Sequence, residues 1–229
     1  MTEPTPALPW LIRTWQAGWG VARGLAPAEE ARGALHVLHG RPWRQLELIA
    51  LHADDDPESL RRLALEVAGA TEPNWLTVPT NRTGDARPIL AGAGLELFED
   101  TEWFMSTDLR AHPVHHPPEP YTSRTTVDGP IIETELWHPS GTRAARGTMV
   151  MTGPGNTAAV AHDIETAPGH RRRGLASALM SMLAREAVAQ GSVTGLLVAS
   201  PEGQRLYSAL GWQERATVLV SRTRDESST

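Results

Sequence analysis

The chain contains no cysteine and no lysine. Without cysteine there is no disulfide framework, and no thiol is available to carry an acyl group. Without lysine there is no Schiff-base chemistry and no P-loop phosphate clamp; all 21 basic residues are arginine, read here as coding bias. Positive charge is not in excess either: the formal net charge of −6 argues against a general nucleic-acid binder. No stretch approaches the run of about 18 apolar residues that a membrane span needs. The segment Met1 to Pro9 lacks the basic-then-apolar order of a secretory signal. These absences lead us to expect a cytoplasmic protein with neither nucleic acid nor membrane as partner.

What is present is an ordinary globular balance, 40% hydrophobic and 21% charged in 229 residues, enough for one large or two small domains. Trp10, Trp15 and Trp19 fall on one side of a helix over Leu8 to Leu25. They are read first as buried packing, with a substrate wall as the second option. A strand over Arg44 to His52, a helix over Leu60 to Ala68 started near Pro57, and a strand over Trp75 to Val78 follow. Leu95 to Leu109 reads as two strands joined by a turn. Prolines then forbid regular structure across Ala111 to Pro120. That stretch reads as a linker, and its His112, His115 and His116 lack the acidic or cysteine company of a metal site.

Past the linker come strands over Thr122 to Val127, Ile131 to Trp137, Arg146 to Met151 and Thr157 to Thr166. An amphipathic helix follows over Leu175 to Gln190, with Gly191 where a C-terminal cap glycine belongs. A buried strand at Leu196 to Ala199, a helix over Pro201 to Leu210 and a strand over Thr217 to Arg222 close the chain. A faint internal repeat is visible as well. Ile89-Leu90-Ala91-Gly92-Ala93-Gly94-Leu95 echoes Leu206-Tyr207-Ser208-Ala209-Leu210-Gly211-Trp212, each preceded by a helix and a short apolar strand.

The stretch that carries chemistry is Pro168-Gly169-His170-Arg171-Arg172-Arg173-Gly174-Leu175-Ala176, between a strand and a helix. Successive backbone N–H groups in such a turn, backed by a helix N-terminus, make a concave anion site. Gly174 and Ala176 allow close approach to the main chain, and the arginines suit a pyrophosphate. It is neither a P-loop nor a GxGxxG turn.

Arg171-x-x-Gly174-x-Ala176 resembles the Gln/Arg-x-x-Gly-x-Gly/Ala signature of the GNAT acetyltransferases. Ser200-x-x-Gly203-x-x-Leu206-Tyr207-x-x-Leu210-Gly211-Trp212 is similar to that family's Asn-x-x-Ala-x-x-Leu-Tyr-x-x-x-Gly-Phe element, at the family's separation. The resemblance runs from about Tyr121 to Thr223, and the whole chain also resembles actinobacterial GNAT proteins with a Trp-rich start. It implies a mixed α/β (α+β) fold with the GNAT fold in the C-terminal half, and acetyl-CoA as acyl donor with no metal. The implied reaction is N-acetyl transfer by direct attack of an amine. A non-catalytic acyl-CoA sensor of the same fold is the alternative.

By that resemblance, backbone amides from Arg172 through Arg173, Gly174 and Leu175 to Ala176 would hold the pyrophosphate, helped by the Arg171 side chain. Ile164, Glu165 and Thr166 would pair with the pantetheine arm, Ser200 would line the cofactor site, and Tyr207 would protonate the departing thiolate. For the general base, Asp163 is preferred and His162 is the second candidate, with water or another residue left open. The family strand is bulged here, so simple alternation cannot assign their faces. Thr166, Ser200 and Gly203 depart mildly from the family pattern.

More serious, the segment from Tyr121 lacks the two helices that usually shape the acceptor pocket. The expected organisation is a degenerate GNAT-like N-terminal half over 1–110, a linker over 111–120 and an acetyl-CoA-binding domain over 121–229. In the first half the loop position holds His52-Ala53-Asp54-Asp55-Asp56-Pro57, which would repel a pyrophosphate, and Leu90 stands opposite Tyr207. A small-molecule amine is favoured as acceptor, and a homodimer through the tryptophan-bearing half is left open.

Overall fold

The computed structural model describes residues 6–224. The helices are α1 (Leu8–Ala22), α2 (Pro57–Ala68), α3 (Thr83–Gly92), α4 (Leu175–Ala189) and α5 (Pro201–Ala209). The strands of the first half are β1 (Glu29–Ala31), β2 (Ala34–Arg41), β3 (Arg44–Ala50), β4 (Asn74–Thr80), β5 (Glu96–Leu97) and β6 (Glu102–Asp108). Those of the second are β7 (Thr122–Asp128), β8 (Ile131–Trp137), β9 (Arg143–Thr152), β10 (Ala158–Thr166), β11 (Thr194–Ala199) and β12 (Gln213–Arg222).

Local chemistry accounts for the helix ends that matter. Pro57 and Pro201 sit at the starts of α2 and α5, where a missing N–H costs nothing. The Asp56 carboxylate accepts from Ser59 N–H at 2.9 Å, and Ser200 Oγ accepts from Gly203 N–H at 3.3 Å. Helix α4 ends at Gln190, followed by Gly191 at φ +99°.

All strands join one sheet, in the order β1-β2-β3-β4-β12-β6-β11-β10-β9-β8-β7, with β5 added beside β12. The hairpin β1–β2, turned through Arg32 and Gly33 at φ +53° and +85°, escaped the sequence reading. Leu38, at 57% exposure, lies on the face opposite buried Leu35 and Val37, so the apolar pair Val37-Leu38 masks the alternation in sequence.

With the two-residue β5 set aside, the core order of elements is the same in both halves. β2-β3-α2-β4-α3-β6 recurs as β9-β10-α4-β11-α5-β12. The last strands are exchanged: β12 pairs antiparallel with β4 of the first half, and β6 with β11 of the second. The two exchanged strands pair with each other in the middle of the sheet. Residues 112–120, which carry no helix or strand, therefore leave from a strand embedded in the sheet centre.

Side-chain alternation assigns the two faces. Ile49 and Leu51, Phe104, Val160, Leu196 and Val218 form a core with Leu11, Ile12, Trp15 and Trp19 of α1. On the other face Leu48, Ala50 and Leu219 pack with α2 and α3, and Met105, Ala159 and Leu197 with α4 and α5. Among the described residues helix α1 thus stands alone on its face, and it packs against β9, β10 and β11. It belongs to the first half by sequence and covers the second half in space, where the expected acceptor helices are missing. Trp15 and Trp19 are buried against this face, while Trp10 stays 37% exposed.

Candidate active site

β10 and β11 run parallel and pair only over Ala158–Val160 and Thr194–Leu196. Beyond that point they part. β10 stays bound to β9 but bulges between His162 and Glu165, with Asp163 at φ +50°. The gap opens a cleft of about 600 Å³ toward the start of α4.

The loop into α4 passes Arg172 at φ +58° and Gly174 at φ +76°. Two left-handed residues so close together turn successive N–H groups toward one side. Glycine takes this conformation without strain, which a side chain at 174 would not. The first bond of α4 runs from Ala178 N–H to the Gly174 carbonyl at 3.1 Å, so the N–H groups of Leu175, Ala176 and Ser177 are left for a ligand. Arg171 and Arg172 line the cleft, and Arg171 Nε donates to the Thr166 carbonyl at 3.3 Å. Arg173 differs: its guanidinium donates to Tyr121 Oη at 3.2 Å, and that hydroxyl hydrogen-bonds His170 Nδ1 at 2.9 Å. Its side chain braces the loop from outside, leaving only its backbone to the site.

On β10 the side chains divide. Ile164 packs into the core under α4, and Glu165 pairs with Arg146 at 2.9 Å on the surface. What these residues and Thr166 can offer a ligand is main chain. His162 is half-buried, its Nε2 3.2 Å from the carboxylate of the exposed Asp163. Burial holds the imidazole below its ordinary value and Arg23 adds to this, against the opposing pull of Asp163. Burial thus favours the neutral imidazole.

Across the cleft Tyr207 is 8% exposed. Burial pushes its phenol up to about 12, so it carries its proton at neutral pH. Its ring lies over Gly203, where a Cβ would come within 2.9 Å of Cε2. The departure from alanine at 203 therefore makes room for the tyrosine. Ser200 lines the same cleft and spends its hydroxyl capping α5.

A second cavity, of about 460 Å³, lies on the α1 face. It shares Glu102, Ala161, His162 and Val198 with the cleft, so the two spaces meet at the parting of the strands. Glu102 was not among the sequence candidates. Burial raises its carboxyl and the neighbouring Glu47 and Asp100 add to that, while Arg44 opposes them. Its one sequence signal is a strand alternation that sets it on the face of buried Phe104.

The linker histidines do not join this site. The His112 ring packs edge-on against Trp212, and the His115 N–H donates to Ser181 Oγ at 2.9 Å. Among the described residues no group of three or more His, Cys, Asp or Glu is placed to hold a metal. No helix among them is long and apolar enough to cross a membrane.

Residues 103–212 match the model of the Acetyltransferase (GNAT) family. The match opens in β6 and closes before β12, so it follows the strand exchange: β6 is the strand that lies beside β11. No curated protein matches the chain. Among solved structures, a GCN5-related N-acetyltransferase from Kribbella flavida is similar with a TM-score of 0.70 at 14% identity, over 97% of each chain. One from Sphaerobacter thermophilus has a TM-score of 0.59 at 16% identity, over 98% of this chain and 95% of its own. A tandem GNAT protein from the clavulanic acid biosynthesis pathway has a TM-score of 0.58 at 12% identity, over 95% of each. At these identities the likeness is one of fold.

Proposed function

We propose that this chain, which carries a GNAT acetyltransferase domain over residues 103–212, transfers an acetyl group from acetyl-CoA to a small-molecule amine. The observation that carries the reading is the cleft between β10 and β11. It runs from free amides at the start of α4, past exposed strand backbone, to a protonated tyrosine, and opens onto a separate cavity. The pyrophosphate of the donor fits the amides from Arg172 to Ala176, with Arg171 and Arg172 adding charge. The pantetheine arm fits alongside the β10 backbone, one N–H of which polarises the thioester carbonyl.

The acceptor enters from the α1 side. Its ammonium gives one proton to His162, or to water held there, and the freed nitrogen attacks the carbonyl carbon. The tetrahedral intermediate loses a second N–H proton to solvent and collapses with cleavage of the C–S bond; Tyr207 protonates the departing thiolate and recovers its own proton from solvent. Between the two base candidates the geometry favours His162. It is half-buried and lines both spaces, whereas the Asp163 carboxylate is 56% exposed and does not line the second cavity. No step calls for a covalent enzyme intermediate.

Calorimetry with acetyl-CoA, followed by a thiol-release assay over a set of amines, tests this. Binding plus amine-dependent thiol release is expected. Binding with no release for any amine would turn the reading into a sensor, and no binding would remove it.

A further inference from the structure

The cavity on the α1 face is built differently from the cleft beside it. Its apolar wall is two stacked ring pairs: Trp15 with Trp19 at 5.4 Å, and Trp75 with Phe98 at 4.9 Å. Its buried charge is already matched. Glu47 accepts from His39 Nε2 at 2.9 Å and Thr77 Oγ1 at 2.5 Å, and pairs with Arg44 at 2.6 Å. Glu102 makes no hydrogen bond or ion pair among the described residues, and it sits where cavity and cleft meet.

We propose that the acceptor is a primary amine carried on an aromatic body, its ring held among these indoles and its ammonium bound by the Glu102 carboxylate. The inference rests on the acetyltransferase reading and names the substrate class of that same site. A half-buried carboxylate without a partner binds an ammonium by a charge-assisted hydrogen bond, stronger here than in bulk water. Flat aromatic walls favour a flat aromatic guest in offset or edge contact. The volume of about 460 Å³ lies in the range of small-molecule sites and would be poorly filled by a thin aliphatic chain. The placement also serves the reaction, since an ammonium held at Glu102 lies at the junction where His162 faces both spaces.

Arg23 lies over the Trp19 ring at 5.3 Å, lines the cavity and makes no ion pair among the described residues. The same chemistry could therefore come from a plain arylalkylamine or from an aromatic amino acid whose carboxylate meets Arg23.

The test is titration of the cofactor-free protein with 2-phenylethylamine, L-phenylalanine and spermidine in a calorimeter. At least one of the two aromatic amines is expected to bind and spermidine to bind more weakly. Glu102→Gln and Trp75→Ala should each weaken the aromatic amine by about tenfold or more, with thermal melts confirming that both variants are folded. Arg23→Ala separates the sources: it weakens the amino acid and spares the plain amine. Spermidine binding as tightly as the aromatic amines would overturn the proposal. So would the absence of binding by either aromatic amine, or binding that survives both substitutions in folded protein. These titrations need no acetyl-CoA. Loss of cofactor binding alone would remove the acetyltransferase reading, and loss of aromatic selectivity alone would remove only the acceptor class.

Discussion

After β3 the chain turns into α2 through Ala53-Asp54-Asp55-Asp56, and after β10 it turns into α4 through Arg171-Arg172-Arg173-Gly174. The two turns stand at the same place in the repeated order of elements, yet they do opposite things. In the first half the Asp54 carboxylate reaches across to the end of β4, where it accepts from Thr80 Oγ1 and from Asn81 N–H at 3.0 Å. Asp56 caps α2 itself. One amide at the start of α2 is thus taken by the protein's own Asp56, while Asp54 is held at the end of β4. In the second half the amides at the start of α4 have no such partner and the cleft stays open. A helix N-terminus attracts negative charge in either case. What decides between a structural corner and a ligand site is whether the sequence supplies that charge itself.

The helices downstream repeat the contrast. Leu90 on α3 is fully buried, while Tyr207, in the equivalent place on α5, lines the cleft with its phenol. Tyr207→Phe should lower kcat by about a thousandfold while leaving acetyl-CoA affinity and the melting temperature nearly unchanged, as steady-state kinetics and melts would report. A small change in kcat would place the acid elsewhere. Leu90→Ala should do the reverse, costing about 3 kcal/mol of stability in denaturant unfolding with kcat retained in the folded fraction. Gly174→Glu brings the acidic character of the first turn to the second. Strain at φ +76° and a carboxylate beside the pyrophosphate site should weaken acetyl-CoA by about a hundredfold in calorimetry.

His162 makes a pH prediction whose sign follows from its burial. Its value is lowered, so the neutral base persists below the ordinary histidine range, and kcat/KM should fall only as pH drops through that lowered value. In His162→Gln that acid limb should vanish and the plateau should fall by about tenfold. Persistence of the limb would move the base role to Asp163 or Glu102. Tyr207 sets the opposite edge. Because its folded value is near 12, deprotonation of the acid should not limit the rate across the ordinary assay range. The smallest effect belongs to Asp54→Ala, which should cost about 1 kcal/mol in unfolding experiments by freeing the Asn81 amide, with no gain of a second cofactor site.

Much of the second half is legible in sequence because its information is local. The 3.6-residue pattern of α4, the loop between it and β10, and the Ser200 and Pro201 start of α5 each declare themselves within a few residues. The bulge at Asp163 was anticipated from the resemblance, and its backbone outcome, φ +50°, brings His162 rather than Asp163 to the junction of the two spaces. The exchange of β6 and β12 is not local. Phe104 and Val218 read as strand residues in either topology, and nothing in their period says which half they join. The cavity on the α1 face was hidden for the same reason. Trp19, Trp75 and Glu102 are far apart in sequence, and only the exchanged sheet with α1 laid across it brings them to one space. Of the three tryptophans read first as packing, Trp15 and Trp19 pack and line that space at once, whereas Trp10 is exposed and does neither.

The central claim is that one half of this chain is open to the donor and the other is closed by its own aspartates. The most direct test is the stoichiometry of acetyl-CoA binding in a calorimetric titration of the native protein. The account predicts one site per chain, lost in Gly174→Glu and retained in Asp54→Ala. Two sites per chain, or one that survives Gly174→Glu, would contradict it.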